Sequence, residues 1–179
     1  MRFIRTLATL ALLLPLAAQA QSGWRNDAGD MLPDTASSKA RDGFAASMII
    51  TADADWQQKW ETPPEIAPRF ELADAIGEGG ELYILAFLSN PQLDADSMAD
   101  VSCDLRITRP DGSLSGDEHD LPCFKTRLTA DPTHVYLSTV GVKFTAEATD
   151  PRGTWTVDIH VTDNHRKVTL PLQSSFTLR

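Results

Sequence analysis

The side chains capable of chemistry fall into a few clusters, and their spacing decides which chemistry is open to them. Asp94, Asp96 and Asp100 gather carboxylates in one short segment, and hard oxygen donors of this kind suit calcium. The spacing departs from an EF-hand loop, because Met98 stands at the third ligand position and no central glycine turns the chain. Asp117, Glu118 and Asp120 flank His119 in a second acidic run, which offers imidazole and carboxylate ligands but reads more simply as a solvated charged loop. If Asn164 and His165 form a two-residue hairpin turn, His160 pairs opposite Thr169, too far from His165 for shared metal binding. No nucleophile elbow, HExxH helix, phosphate loop or dinucleotide glycine motif occurs. No catalytic residue, metal ligand or cofactor is therefore assigned.

Cys103 and Cys123 are the only cysteines, and they lack the C-x-x-C spacing of a redox or metal pair. In an exported chain they are expected to form a disulfide. Trp56 and Trp60 stand at i, i+4, on one face of a short helical turn that Asp53 or Asp55 can cap and that Pro63-Pro64 must end. Aromatic pairs of this kind either seal the open end of a core or supply a recognition surface. Trp24, in a polar leader, is less constrained and is a possible anchor for a partner, whereas Trp155 reads as core.

The elements that must carry these residues are strands. Residues 44–51 and the nearly continuous apolar run 81–89 read as strands, the second covered on both faces. Residues 101–108 alternate strictly, as do 154–162, where Trp155, Val157, Ile159 and Val161 share one face. Short strands are expected near 69–75, at Phe124, at 135–137 and at 142–148, with a last strand from 167 through Leu178. Residues 113–131 are otherwise too polar to assign. Pro-Asp-Gly at 110–112 and Asp-Pro-Arg-Gly at 150–153 are strong turn signals. About seven short strands between such turns, with one helical turn, indicate an all-β antiparallel sandwich.

The motif DPRGTW places Trp155 where immunoglobulin-like domains start their penultimate strand with an aromatic after an acidic, glycine-containing turn. Residues 65–179 resemble such a domain. The cysteines depart from its pattern: they are too close in sequence for an inter-sheet bridge and are expected to tie neighbouring strands or a loop. The DW-x-x-x-W-x-TPP…P-x-F stretch is similar to small exported proteins of Gram-negative bacteria, a likeness that implies compartment and fold but no activity.

The 179 residues carry 16 Lys+Arg against 25 Asp+Glu. Residues 1–20 show Arg2 and Arg5, an apolar core and Ala18-Gln19-Ala20, the order expected of a cleaved export signal with Gln21 as the new N-terminus. Without its two arginines the mature chain would carry 14 basic against 25 acidic residues, a net charge of −11. That charge is repelled by nucleic acid and anionic lipid and suits a basic protein or a divalent cation. No cysteine near the cleavage site would accept a lipid, so a soluble periplasmic or secreted protein is expected, with no membrane insertion. The organisation read from sequence is thus 1–20 signal, 21–43 flexible leader and 44–179 sandwich. The function expected is non-catalytic binding through protein–protein contact, as by an inhibitor, an immunity-type protein or an accessory subunit of an envelope machine. The candidate contacts are Trp56, Trp60, Asp94, Asp96, Asp100, Asp117, Glu118 and Asp120. The alternative is a calcium- or glycan-binding module.

Overall fold

A computed structural model of the chain describes residues 23–25, 28–62 and 68–179. The segment 1–20, expected to be an export signal, and Pro63-Pro64 lie outside the described residues. Ten strands and one short helix follow in order: β1 (Ser38–Arg41), β2 (Phe44–Thr51), α1 (Trp56–Trp60), β3 (Ala75–Ile76), β4 (Glu81–Ser89), β5 (Met98–Thr108), β6 (Leu114–Arg127), β7 (Val135–Leu137), β8 (Val142–Thr145), β9 (Gly153–Asp163) and β10 (Val168–Leu178). They form a two-sheet β-sandwich. One sheet runs β1-β2-β4, with β7 and β8 both pairing the far side of β4; the other runs β3-β10-β9-β5-β6. Every pairing is antiparallel except that of β3 with β10. Among the described residues no helix is long and apolar enough to cross a membrane.

The alternating strands place their apolar faces against one another. Val101, Cys103, Leu105 and Ile107 of β5 and Trp155, Val157, Ile159 and Val161 of β9 meet Leu82, Ile84, Ala86 and Leu88 of β4 across one core. Burial of each large side chain contributes roughly 1.5–3 kcal/mol. Trp155 is fully buried, stacks on Phe176 and meets Phe144 edge-on at 5.0 Å. Its indole N–H donates back to Pro151 O at 3.0 Å, so tryptophan serves the corner where a tyrosine is more usual. The open sides are laced by backbone bonds: Ser138 N–H to Ala86 O and Thr139 N–H to Cys123 O on one side, Met48 N–H to Ser37 O and Gln173 N–H to Ala36 O on the other.

Several boundaries differ from the sequence reading. The sandwich has ten strands rather than about seven. The sheet begins before residue 44, since Ser38–Arg41 pairs antiparallel with β2 as an edge strand. Trp24, expected to be loose, donates its indole N–H to Ala46 O at 3.2 Å. The unassigned stretch 113–131 is mostly the 14-residue strand β6. Three register shifts there set extra residues of β6 against Ser102, against Asp104 and between Ile107 and Thr108, so the alternation of faces is reset three times and no period is visible. The β9–β10 turn has four residues rather than two, which puts His160 opposite Pro171 and not Thr169.

Candidate functional site

The disulfide joins Cys103 to Cys123 with a Cα separation of 5.7 Å, linking neighbouring strands β5 and β6 within one sheet. Both half-cystines are buried. The bond therefore clamps the outermost strand of the second sheet, which carries Asp117, Glu118 and Asp120.

The two acidic groups lie on this same margin. Asp100, on β5, pairs with Lys125, and Asp117, on β6, pairs with Arg106, six residues further along β5. At about 3.3 Å per residue that separation is about 20 Å. Asp94 stays in the preceding loop, where its Oδ1 accepts the backbone N–H groups of Asp96 and Met98. Those bonds, the Met98 one foremost, hold the Asp94 carboxyl below the ordinary aspartate range. Lys125, and after it Asn164, does the same for Asp100. Both carboxylates are thus engaged within the domain. Among the described residues no three His, Cys, Asp or Glu side chains converge in a way that would hold a metal ion.

His119, expected in a loop, lies on β6 with its ring between Asp104 at 3.6 Å and Asp117 at 3.5 Å. Asp96, Glu118 and Asp120 are exposed and form no ion pair among the described residues. Pro122 and the three register shifts interrupt β6, and Asp120 sits at φ +52° in the bulge opposite Asp104. These features, with the charges, guard a long edge strand against pairing with other chains.

Trp56 and Trp60 take a position that neither sequence alternative described. Helix α1 lies on the outer face of the first sheet, not over the open end of the core. Trp60 packs on Phe87 at 5.3 Å, Trp56 on Tyr83 at 6.4 Å, and Phe70 reaches Phe87 from the following segment at 5.9 Å. This layer explains why β4 is apolar on both faces: Leu85, pointing away from the core, is still only 2% exposed. Asp55 occupies the N-cap position without a side-chain cap bond. Asp53 is the working residue: its carboxylate binds Lys59 Nζ at 2.8 Å and the Glu71 N–H at 2.8 Å, pinning both ends of the layer. The Lys59 contact is the main reason its carboxyl titrates below the usual range. Trp60→Ala should therefore cost about 2 kcal/mol, less than full burial would imply, while the sandwich still unfolds cooperatively. Urea denaturation checks this, and a loss below about 0.5 kcal/mol would return Trp60 to the role of a free platform.

Sequence reasoning missed two features. Asp163, read only as part of a polar turn, is fully buried and takes four hydrogen bonds. A groove of about 1050 Å³ also opens on the outer face of the first sheet, beside the β1–β2 turn. Its residues come from the leader, four strands and the connections between strands, a convergence that no local pattern announces.

No family model matches the chain, and no curated protein sequence does. Solved structures share its fold only loosely. A family 123 glycoside hydrolase from Clostridium perfringens aligns over 76% of this chain and 27% of its own, at 10% identity and a TM-score of 0.42. A Niemann-Pick type C2 protein from the Japanese carpenter ant aligns over 74% of this chain and 89% of its own, at 12% identity and a TM-score of 0.42. The chain thus spans about a quarter of the hydrolase it resembles and most of the length of the ant protein.

Proposed function

We propose that this domain is a non-catalytic binding module of the periplasm that engages a basic protein partner through the β5–β6 margin of its sandwich. The observation that supports this reading is the set of exposed carboxylates at Glu118 and Asp120 on β6 and at Asp96 in the loop before β5, which form no ion pair among the described residues. Unneutralised charge of one sign raises encounter rates with an oppositely charged partner and sets its orientation. The interrupted backbone of β6 leaves side chains, not strand addition, to make the contact. An inhibitor or immunity-type protein fits this description, as does an accessory subunit of an envelope machine.

The test is affinity capture from a periplasmic extract, with the chain and its Asp96→Asn/Glu118→Gln/Asp120→Asn variant compared at low and high salt. A basic protein should be retained by the unmodified chain at low salt, released at high salt, and lost from the variant. With the purified partner, the variant's association rate at low salt should fall about tenfold and its salt dependence should flatten. Equal capture by the two proteins at both salt concentrations would remove the reading.

A further inference from the structure

The groove on the outer face of the first sheet has an architecture that this acidic margin does not explain. Its floor is one cross-strand row: Ala40 of β1 faces Ala45 of β2, Ala45 faces Ser89 of β4, and Ser89 faces Val135 of β7. Elsewhere on this face large side chains are covered by α1; here three small residues leave a trough. Trp24 and Met31 wall it, the indole fixed through its bond to Ala46 O. Met31 and Val135 are among the few large apolar side chains left exposed, at 37% and 45%. The volume of about 1050 Å³ matches that of small-molecule sites.

Charge divides the groove along its length. Arg41, Asp42 and Gly43 lie at the β1 end, and Val135 lies three strands away at the other. Arg166 reaches this end and donates to Asp42 O and Asn90 O, with its own charge matched by Asp163. Arg25 donates to Gly29 O, and Arg41 forms no ion pair among the described residues. In a chain with 25 acidic residues, the described lining of this groove holds three arginines and one aspartate. Arg41 thus lies at the β1 end, where Met31 also packs beside Gly23 and Ala40, and Val135 lies at the other end, three strand spacings away, about 14 Å, the reach of an extended chain of about ten carbons.

We infer that the groove binds a single-chain anionic amphiphile, a medium-chain fatty acid, with its carboxylate at the Arg25 and Arg41 end and its tail along the small-residue floor toward Val135. This site is separate from the β5–β6 margin, and either can fail without the other.

The experiment titrates the full chain with sodium dodecanoate below its micelle concentration, by calorimetry and by tryptophan fluorescence, with Trp24→Phe identifying the signal of the groove. Saturable one-to-one binding is expected, with uncharged dodecanol at least about tenfold weaker. The Arg25→Ala/Arg41→Ala variant should lose about tenfold in dodecanoate affinity and leave dodecanol unchanged. Val135→Glu, at a position 45% exposed, should weaken both ligands. Absence of saturable dodecanoate binding would overturn the inference, as would equal affinity for acid and alcohol, or arginine and Val135 variants that bind like the unmodified chain.

Discussion

Replacing Asp163 by alanine is expected to cost about 3–5 kcal/mol, the range found when one partner of a buried ion pair is removed. Oδ1 accepts the N–H groups of His165 and Arg166 and so closes the β9–β10 turn. Oδ2 accepts the Gln92 N–H at 2.8 Å, which fastens the β4–β5 connection, and pairs with Arg166 Nε at 3.3 Å. Held in this way, Arg166 extends to carbonyls at Asp42 and Asn90, and thus to the β1–β2 turn and the end of β4 in the opposite sheet. The close approach also explains the residue at 43: a Cβ there would meet Arg166 Nη1 at 2.5 Å, and the backbone sits at φ +96°, so only glycine fits. Alanine at 163 leaves three N–H groups without their acceptor and a half-enclosed guanidinium without its counter-charge. Asparagine supplies one acceptor oxygen and no charge, so it should recover only part of the loss. Arg166→Met removes the charge together with the need to neutralise it, and a double-mutant cycle between positions 163 and 166 should show a coupling of at least about 1 kcal/mol. Urea denaturation monitored by fluorescence measures all three. A cost below 1 kcal/mol for Asp163→Ala would show that the two sheets are joined without this carboxylate.

That centre was illegible in the sequence for a physical reason. The string Asp-Asn-His-Arg at 163–166 looks like any polar turn, and nothing local marks one of its carboxylates as buried. Burial there depends on Gln92, Asn90 and Asp42, which are more than 70 residues distant. By contrast β5 and β9 were readable residue by residue, because each has one face on the core and one on solvent. The continuous apolar run of β4 correctly implied two covered faces, but not that α1 supplies the second cover. The i, i+4 spacing of Trp56 and Trp60 gave their common direction and not the surface they meet, because that choice is made by Tyr83 and Phe87 on another element. β6 escaped recognition because this edge strand carries polar residues on both faces, and three register shifts break its period. The groove escaped because a trough made by Ala40, Ala45 and Ser89 is a property of small residues in register, and register cannot be read along one chain.

Breaking the Cys103–Cys123 bond should lower stability by about 3 kcal/mol, the loop-entropy value for a closed segment of this length. In a chain of this size, that corresponds to a fall of roughly 6–12 °C in Tm. The bond's position gives the loss a local component. Register shifts fall between Val101 and Cys103 and again between Cys103 and Leu105, so the β5–β6 ladder is weakest where the disulfide crosses it. Among the described residues no further strand lies beyond β6 to hold it. In the reduced chain β6 should therefore open ahead of the rest of the sandwich. Amide exchange at 116–124 should accelerate far more than exchange in β9, which is paired on both sides by β5 and β10. Calorimetry of the Cys103→Ala/Cys123→Ala variant measures the global loss, and hydrogen exchange with and without reductant measures the local one. Uniform acceleration across β6 and β9 would show that the disulfide acts only on the unfolded chain. Selective opening of β6 would also release Glu118 and Asp120 from their fixed places, and the charge-steered contact proposed for that margin should then weaken on reduction even where the fold survives.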